Sequence, residues 1–437
     1  MRRLATIIGI CAAAAVLSPT SASLPPAGAA SRDAANPEIK HVFIVMLENE
    51  NADVTFGANT HAPYLAQTLR SQGAFLPNYY ATGHLSLDNY ISMVSGQAPS
   101  LLTQADCPIY LDFLAAPLPV TPDGQVTGTG CVYPAGTVQT VANLLEDHGY
   151  TWKGYMEDMA AKAPAEPASC RHPGLGSVDN TQSAEVGDQY AGRHNPFVYF
   201  HSIIDFPTCA KNDVDYSRLA GDLQSASTTA NYSFITPNLC HDGHDSPCVS
   251  GEPGGLTTAD QWLQSNIPQI LNSPGYKDHG LLIVTFDEAG SGDSSACCNE
   301  QSGPNTISPG GSTPGPGGGK VGAVLLSPCI SPGTSDETPY NHYSMLKSVE
   351  NFFGLPYLGY SRQAGLASFG SKIFTRSDCG ATVSTKKCKK AKKHKTGHGK
   401  KKAQKTKKSK KKRKACRKKK RKKHHTPHRQ QVVLPSG

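Results

Sequence analysis

His41-Val42-Phe43-Ile44-Val45-Met46-Leu47 is a continuous apolar run that stops at Glu48-Asn49, and Leu281-Leu282-Ile283-Val284-Thr285-Phe286 does the same, stopping at Asp287-Glu288. An unbroken rather than alternating run reads as a strand buried on both faces, the pattern of a parallel sheet. Tyr232–Thr236 and Val321–Leu326 are further short runs of the same kind. Between and after them, Ala62–Gln72, Asp88–Val94, Thr137–Asp147, Ala259–Leu271 and Tyr343–Phe353 have helical spacing. Strands alternating with helices predict an α/β fold: a single domain with a mostly parallel central sheet flanked by helices. In such sheets ligands gather outside the carboxyl ends of the strands, where both acidic pairs fall.

The surrounding sequence bounds the domain. Residues 381–437 hold 26 Lys and Arg and no Asp or Glu, leaving 17 basic against all 34 acidic residues in the rest, a net of −17. The overall +9 therefore describes an acidic body carrying a polycationic extension. Sequence-specific nucleic-acid binding is excluded, because no basic face belongs to the folded part. The extension, residues 381–437, is too charged and too poor in apolar groups to fold alone and is expected to be disordered. It reads either as a solvated charge run or as an anchor for an anionic cell-surface polymer or lipid.

At the other end, Arg2 and Arg3 precede an apolar run from Leu4 to Leu17 and the small residues Ser18–Ser23. This is a secretory signal pattern over residues 1–30, and the run is too short for a transmembrane helix. The expectation is a secreted, monomeric protein, retained at the cell surface if the extension anchors it. Ten of the 13 cysteines lie in the body, residues 37–380, an even number that fits structural disulfides. Cys107–Cys131 and Cys240–Cys248 are the expected local bridges. The Gly/Pro/Ser-rich segment Gln301–Lys320 reads as a mobile surface loop.

Four elements carry chemistry. A carboxylate at the end of a buried strand is costly unless something positive meets it. Glu48-Asn49 and Asp287-Glu288, on strands of one sheet, can converge on one hard cation through oxygen ligands. Ser86, in Gly83-His84-Leu85-Ser86-Leu87-Asp88-Asn89-Tyr90, fits two roles: a helix N-cap, or a nucleophile where backbone N–H groups favour a phosphate. His241, Asp242, His244 and Asp245 crowd one loop, and His342 opens a helix. These groups can ligate a metal or hydrogen-bond phosphate oxygens. Arg193-His194-Asn195-Pro196 supplies either a further cation or a surface turn.

The stretches HVFIVMLENEN, GHLSLDNYISMVSG, RHNPFVYF, ITPNLCHDGHD, LLIVTFDEAGSGD and YNHYSMLKSVENFFGLP, in that order, resemble the phosphoesterase family of bacterial phospholipases C and acid phosphatases, within the alkaline-phosphatase-like superfamily. The likeness is greatest to its short secreted acid phosphatases. The resemblance implies a metal-dependent phosphomonoester hydrolase, its substrates including phosphoinositides, with a phospholipase C-type phosphodiesterase as the alternative. A non-catalytic, cell-surface polyanion-binding protein is the alternative of another class. It further implies a divalent ion (Ca, Mg, Mn or Zn) on Glu48, Asn49, Asp287 and Glu288, with Asp242 among the ligands. Ser86 falls on the nucleophile position and Asn89 on a phosphate-binding one. His84, His244 and His342 fall on positions lining the phosphate pocket. Leu85 and Asp88 stand where the family often has prolines.

Overall fold

All seven residues of His41–Leu47 are buried, and they form the strand β1 at the centre of the sheet. A computed structural model describes residues 37–376 and 379, apart from 312. The expected signal segment (1–30) and basic extension (381–437) lie outside the described residues. The further strands in chain order are β2 (Ala74–Leu76), β3 (Tyr79–Tyr80), β4 (Leu114–Val120), β5 (Val126–Thr129), β6 (Trp152–Met156) and β7 (Asp213–Asp215). They are followed by β8 (Tyr232–Thr236), β9 (Gly280–Phe286), β10 (Ala323–Leu326), β11 (Thr334–Ser335) and β12 (Tyr340–Asn341).

Eight of them make one sheet in the order β11-β2-β10-β9-β1-β8-β6-β7. All its pairings are parallel except those of β10 with β9 and with β2. This is the mostly parallel α/β architecture the apolar runs predict. Helices Ser86–Ser95, Gly255–Asn272 and His342–Phe353 supply much of its cover. Among the described residues no helix is long and apolar enough to cross a membrane.

The register fixes the site. β1 pairs with β9 from His41↔Gly280 to Leu47↔Phe286, so Glu48 and Asp287 leave adjacent strands at the same edge. β8 flanks β1 on its other side and delivers the loop carrying Asp242 to that edge.

All ten body cysteines pair. The two expected bridges, Cys107–Cys131 and Cys240–Cys248, are present, with Cys170–Cys209, Cys297–Cys298 and Cys329–Cys379. Two expectations change. The helix read over Thr137–Asp147 begins at Val141, because Thr140 accepts from the Asn143 N–H and closes a capping box there. The segment Gln301–Lys320 is folded onto the edge where Glu48 and Asp287 emerge: the His84 N–H donates to Pro309 O, and Ala289 N to Gly318 O. A Cβ on Gly318 would stand 1.9 Å from Gly83 O, so glycine is what lets the segment approach. The hairpin β4–β5 and the strands β2, β6 and β7 carry no long apolar run and escape sequence reading.

Asp213, the first residue of β7, is fully buried. One carboxyl oxygen accepts from Asn195 Nδ2 at 2.8 Å and the other has no partner. Burial raises its pKa from 3.8 to about 7, so folding takes up a proton. That stabilisation is complete below about pH 3.8 and is lost as pH rises through 7. Asp213→Asn keeps the shape without the ionisation. Its stability relative to the parent, read from urea midpoints, is expected to improve progressively between pH 4 and pH 7 and then level off.

Candidate active site

Glu48 is 2% exposed and holds the centre of this edge. Its Oε1 accepts from Ser86 Oγ at 2.6 Å and, more weakly, from Asn49 Nδ2 at 3.4 Å. Its Oε2 contacts His194 Nε2 without hydrogen-bonding geometry. Asp242, from the loop after β8, lies on the other side of the ring, its Oδ2 3.6 Å from His194 Nδ1. One ligand atom each from Glu48, His194 and Asp242 lie within 4.8 Å of one another, and all three residues are buried. Asp287 completes the edge. Its Oδ1 accepts from the N–H groups of Glu288 (2.6 Å) and Asn49 (3.3 Å), while its buried Oδ2 has no partner.

The electrostatics follow from burial. Desolvation alone would raise Glu48, but the His194 ring, then Arg193 and His244, outweigh it and hold this carboxyl well below the usual range. Desolvation and then the charge of Glu48 push Asp242, Asp287 and Glu288 far up. Three carboxylate oxygens here, Glu48 Oε2, Asp242 Oδ2 and Asp287 Oδ2, are buried without a hydrogen bond. Each such group costs free energy unless a proton or a cation meets it. Oxygen and imidazole donors converging from four elements suit a divalent cation. The residues therefore fit the metal that the resemblance implies.

The sequence-predicted residues separate into those facing this cluster and those behind it. Ser86 is the first residue of its helix, not the N-cap; Leu85 holds that position and makes no side-chain cap. The capping role is thus absent, and the hydroxyl is directed at Glu48. His244 sits at the mouth, its side chain 46% exposed. Its hydrogen bond with Asp245, above all, raises its pKa and favours the imidazolium. Gly243, at φ 115°, makes the turn that sends Asp242 inward and His244 outward.

The other predicted residues support rather than line the cluster. Glu288 is turned onto His84, whose Nδ1 it contacts while His84 Nε2 donates to Asp293 O at 2.9 Å. With Nε2 committed as donor, a single proton lies between His84 Nδ1 and the Glu288 carboxyl. His342 is fully buried; its Nε2 donates to the main-chain carbonyl of Asp287 at 2.5 Å, and its Nδ1 accepts from Tyr79 Oη at 3.1 Å. Burial lowers its pKa to about 4, so it props Asp287 as a neutral ring.

Asn89 differs most from its expected role. Its Oδ1 accepts from the N–H groups of Thr82 and Gly83 and from Thr82 Oγ1, and its Nδ2 donates to the carbonyls of Gly83 and Leu85. The amide has no capacity left for a phosphate and instead shapes the turn that presents His84 and Ser86.

His194 is the member of this cluster that sequence reading underweighted. It belongs to the flagged Arg193-His194-Asn195-Pro196 segment, but nothing local to that segment indicates that it meets Glu48. Arg193, 7% exposed, brings its guanidinium 3.7 Å from Asp106. Asp106 in turn accepts from the Leu87 N–H at 3.0 Å, tying this cation to the Ser86 helix.

Comparison with known proteins identifies the family. The profile of the phosphoesterase family matches residues 58–356. A probable acid phosphatase of Kluyveromyces lactis is 25% identical over 323 residues, spanning 73% of this chain and 59% of that protein. An acid phosphatase of Aspergillus fumigatus is 26% identical over 344 residues, 78% of this chain and 57% of that protein. A phosphatidylinositol-3-phosphatase of Mycobacterium tuberculosis is 26% identical over 362 residues, 83% and 92% respectively. The chain thus spans less than two thirds of the two fungal proteins.

Because Asn89 makes five hydrogen bonds within one turn, Asn89→Ala is expected to destabilise the protein by about 3 kcal/mol. Urea denaturation measures this, and amide exchange at residues 82–85 should accelerate in the same variant.

Proposed function

The chain belongs to the phosphoesterase family, and from that premise we propose that it is a secreted, metal-dependent phosphomonoester hydrolase of acid-phosphatase type. The observation that carries the proposal is the Ser86 hydroxyl, held 2.6 Å from a buried carboxylate at a helix N-terminus and surrounded by unpartnered acidic oxygens. A divalent cation (Ca, Mg, Mn or Zn) held by Glu48, Asp242, Asp287 and His194, with Asn49 and Glu288 beside them, would supply positive charge to a phosphoryl oxygen and acidify the serine hydroxyl.

The chain's own groups do the rest. Glu48 orients Ser86 Oγ, and the hydroxyl proton passes to solvent water. Ser86 Oγ attacks phosphorus in line; the Oγ–P bond forms, the ester P–O bond breaks, and the leaving oxygen takes a proton from the His244 imidazolium. Water then hydrolyses the phosphoserine, releasing phosphate. The N–H groups of the Ser86–Ser95 helix and the Arg193 guanidinium offset the charge that builds on the equatorial oxygens. His84, shared with Glu288, and His342, beneath Asp287, keep those carboxylates in place.

Ser86→Ala is expected to lower kcat for an aryl phosphate by roughly a thousandfold, with circular dichroism unchanged. Near-parental turnover would eliminate Ser86 as nucleophile. Asp287→Ala should abolish turnover, and dialysis against a chelator should do so reversibly, with one of the four divalent ions restoring it. The same assays compare an aryl phosphate with a phosphocholine diester. Faster diester hydrolysis would replace the proposal with a phospholipase C-type activity, and a body inert to both would leave a polyanion-binding protein.

A further inference from the structure

One of the five bridges does not act as a cross-link. Cys107–Cys131, Cys170–Cys209, Cys240–Cys248 and Cys329–Cys379 close sequence separations of 24, 39, 8 and 50 residues. Cys297–Cys298 joins neighbours in the chain. A bridge stabilises chiefly by constraining the loops of the unfolded chain, and a separation of 1 leaves no loop to constrain. Its two residues are also half-buried, whereas seven of the other eight bridged cysteines are buried. Accessible bridges are the ones that exchange with thiols most readily.

The pair stands between two supports of the acidic edge. On its N-terminal side, Asp293 O accepts from His84 Nε2, the ring that meets Glu288, and Asp293 Oδ1 accepts from Ser295 N at 2.9 Å. On its C-terminal side, Cys298 N donates to Glu300 Oε2 at 2.9 Å, and Glu300 Oε1 accepts from Asn341 Nδ2 at 2.7 Å. Asn341 is the N-cap of the His342–Phe353 helix, its Oδ1 accepting from Ser344 N at 2.9 Å. His342, the first residue of that helix, donates to the carbonyl of Asp287. Cys297 Sγ lies 3.3 Å from Tyr340 O, and Gln363 Nε2 donates to the carbonyls of Cys298 and Asn299, each at 3.0 Å. The bridged turn therefore touches both the end of β12 and the cap from which His342 reaches Asp287.

We propose that Cys297–Cys298 is a reversible dithiol–disulfide exchange site, opened by an external dithiol and coupled through Glu300 and Asn341 to the helix that holds Asp287. A thiolate of the dithiol attacks one cysteine sulfur, forming a mixed disulfide and releasing the other sulfur as a thiolate. The second sulfur of the dithiol then displaces the first cysteine. The dithiol leaves as its own disulfide, two electrons pass to the protein, and each cysteine sulfur ends with one proton. With the small ring open, Cys298 N is no longer held toward Glu300, the Asn341 cap loosens, and His342 loses its fixed reach to Asp287. The bridged form is the more active one. The effect on turnover rests on the hydrolase reading above; the exchange itself does not.

The test treats the folded full chain with dithiothreitol as the probe dithiol, then alkylates it and maps the modified cysteines by peptide mass spectrometry. Cys297 and Cys298 should be labelled at least about tenfold faster than any other bridged cysteine. Amide exchange over residues 340–346 should accelerate in the reduced protein while that of His41–Leu47 stays unchanged, and reoxidation should reverse it. Turnover of an aryl phosphate should fall about fivefold as the ring opens and recover when it closes. The double variant Cys297→Ser, Cys298→Ser should begin at the lowered turnover and ignore the reductant. Labelling of this pair no faster than the rest overturns the exchange site. Selective labelling without any change over residues 340–346 overturns the coupling, as does a double variant that still loses turnover to the reductant. If the parent turns over no phosphate ester at all, the hydrolase reading fails, and labelling with amide exchange still decides the proposal.

Discussion

Three neighbouring parallel strands, β8, β1 and β9, deliver carboxylates to one dry edge, and like charges in a low-dielectric setting cannot all remain ionised and unmet. The remainder of the site is arranged around that constraint. Glu48 stays ionised because His194, Arg193 and His244 converge on it. Asp242, Asp287 and Glu288 are then forced toward their protonated forms by burial and by Glu48 itself. Glu288 shares a proton with His84, and Asp287 is propped by a neutral His342. A divalent cation and a proton are interchangeable answers to the same electrostatic demand, so binding a cation in this cluster would displace protons from it.

The serine is placed by different means. Its turn is held by Asn89, its helix start is tied to Asp106, and the Gly/Pro-rich segment lies against its outer side through Pro309 and Gly318. A side chain held by packing and by its neighbours' hydrogen bonds can keep the alignment that in-line attack requires.

Much of this was legible in the sequence because the decisive signals are local. A buried parallel strand shows itself as an uninterrupted apolar run, and an acidic residue at its end is conspicuous; Glu48 and Asp287 needed nothing more. Asp242 and His244 were visible as a cluster inside a short cysteine-bounded loop. What escaped depends on contacts between distant segments. Whether Asn89 meets a phosphate or its own backbone is decided by the turn it closes. Whether Ser86 caps its helix is decided by a one-residue difference in where the helix starts. His194 reaches Glu48 only because its 3-10 turn packs beside β1 and β8, and its partner Asn195 is anchored by Asp213, a core carboxyl that no local pattern distinguishes. The insertion at 301–320 reads as mobile by composition, yet its glycines serve close approach.

The Cys240–Cys248 bridge closes a ring around Asp242 and His244, with Ser246 and Pro247 at its exposed outer side. A protease cutting the chain at that outer side would open the backbone but not the ring, since the sulfur link keeps both new ends attached. The inward-facing acid and the outward-facing imidazole would stay close to their places, and the two halves of the sheet would remain one covalent molecule. The fold thus builds tolerance to nicking into the loop that stands most openly at its mouth.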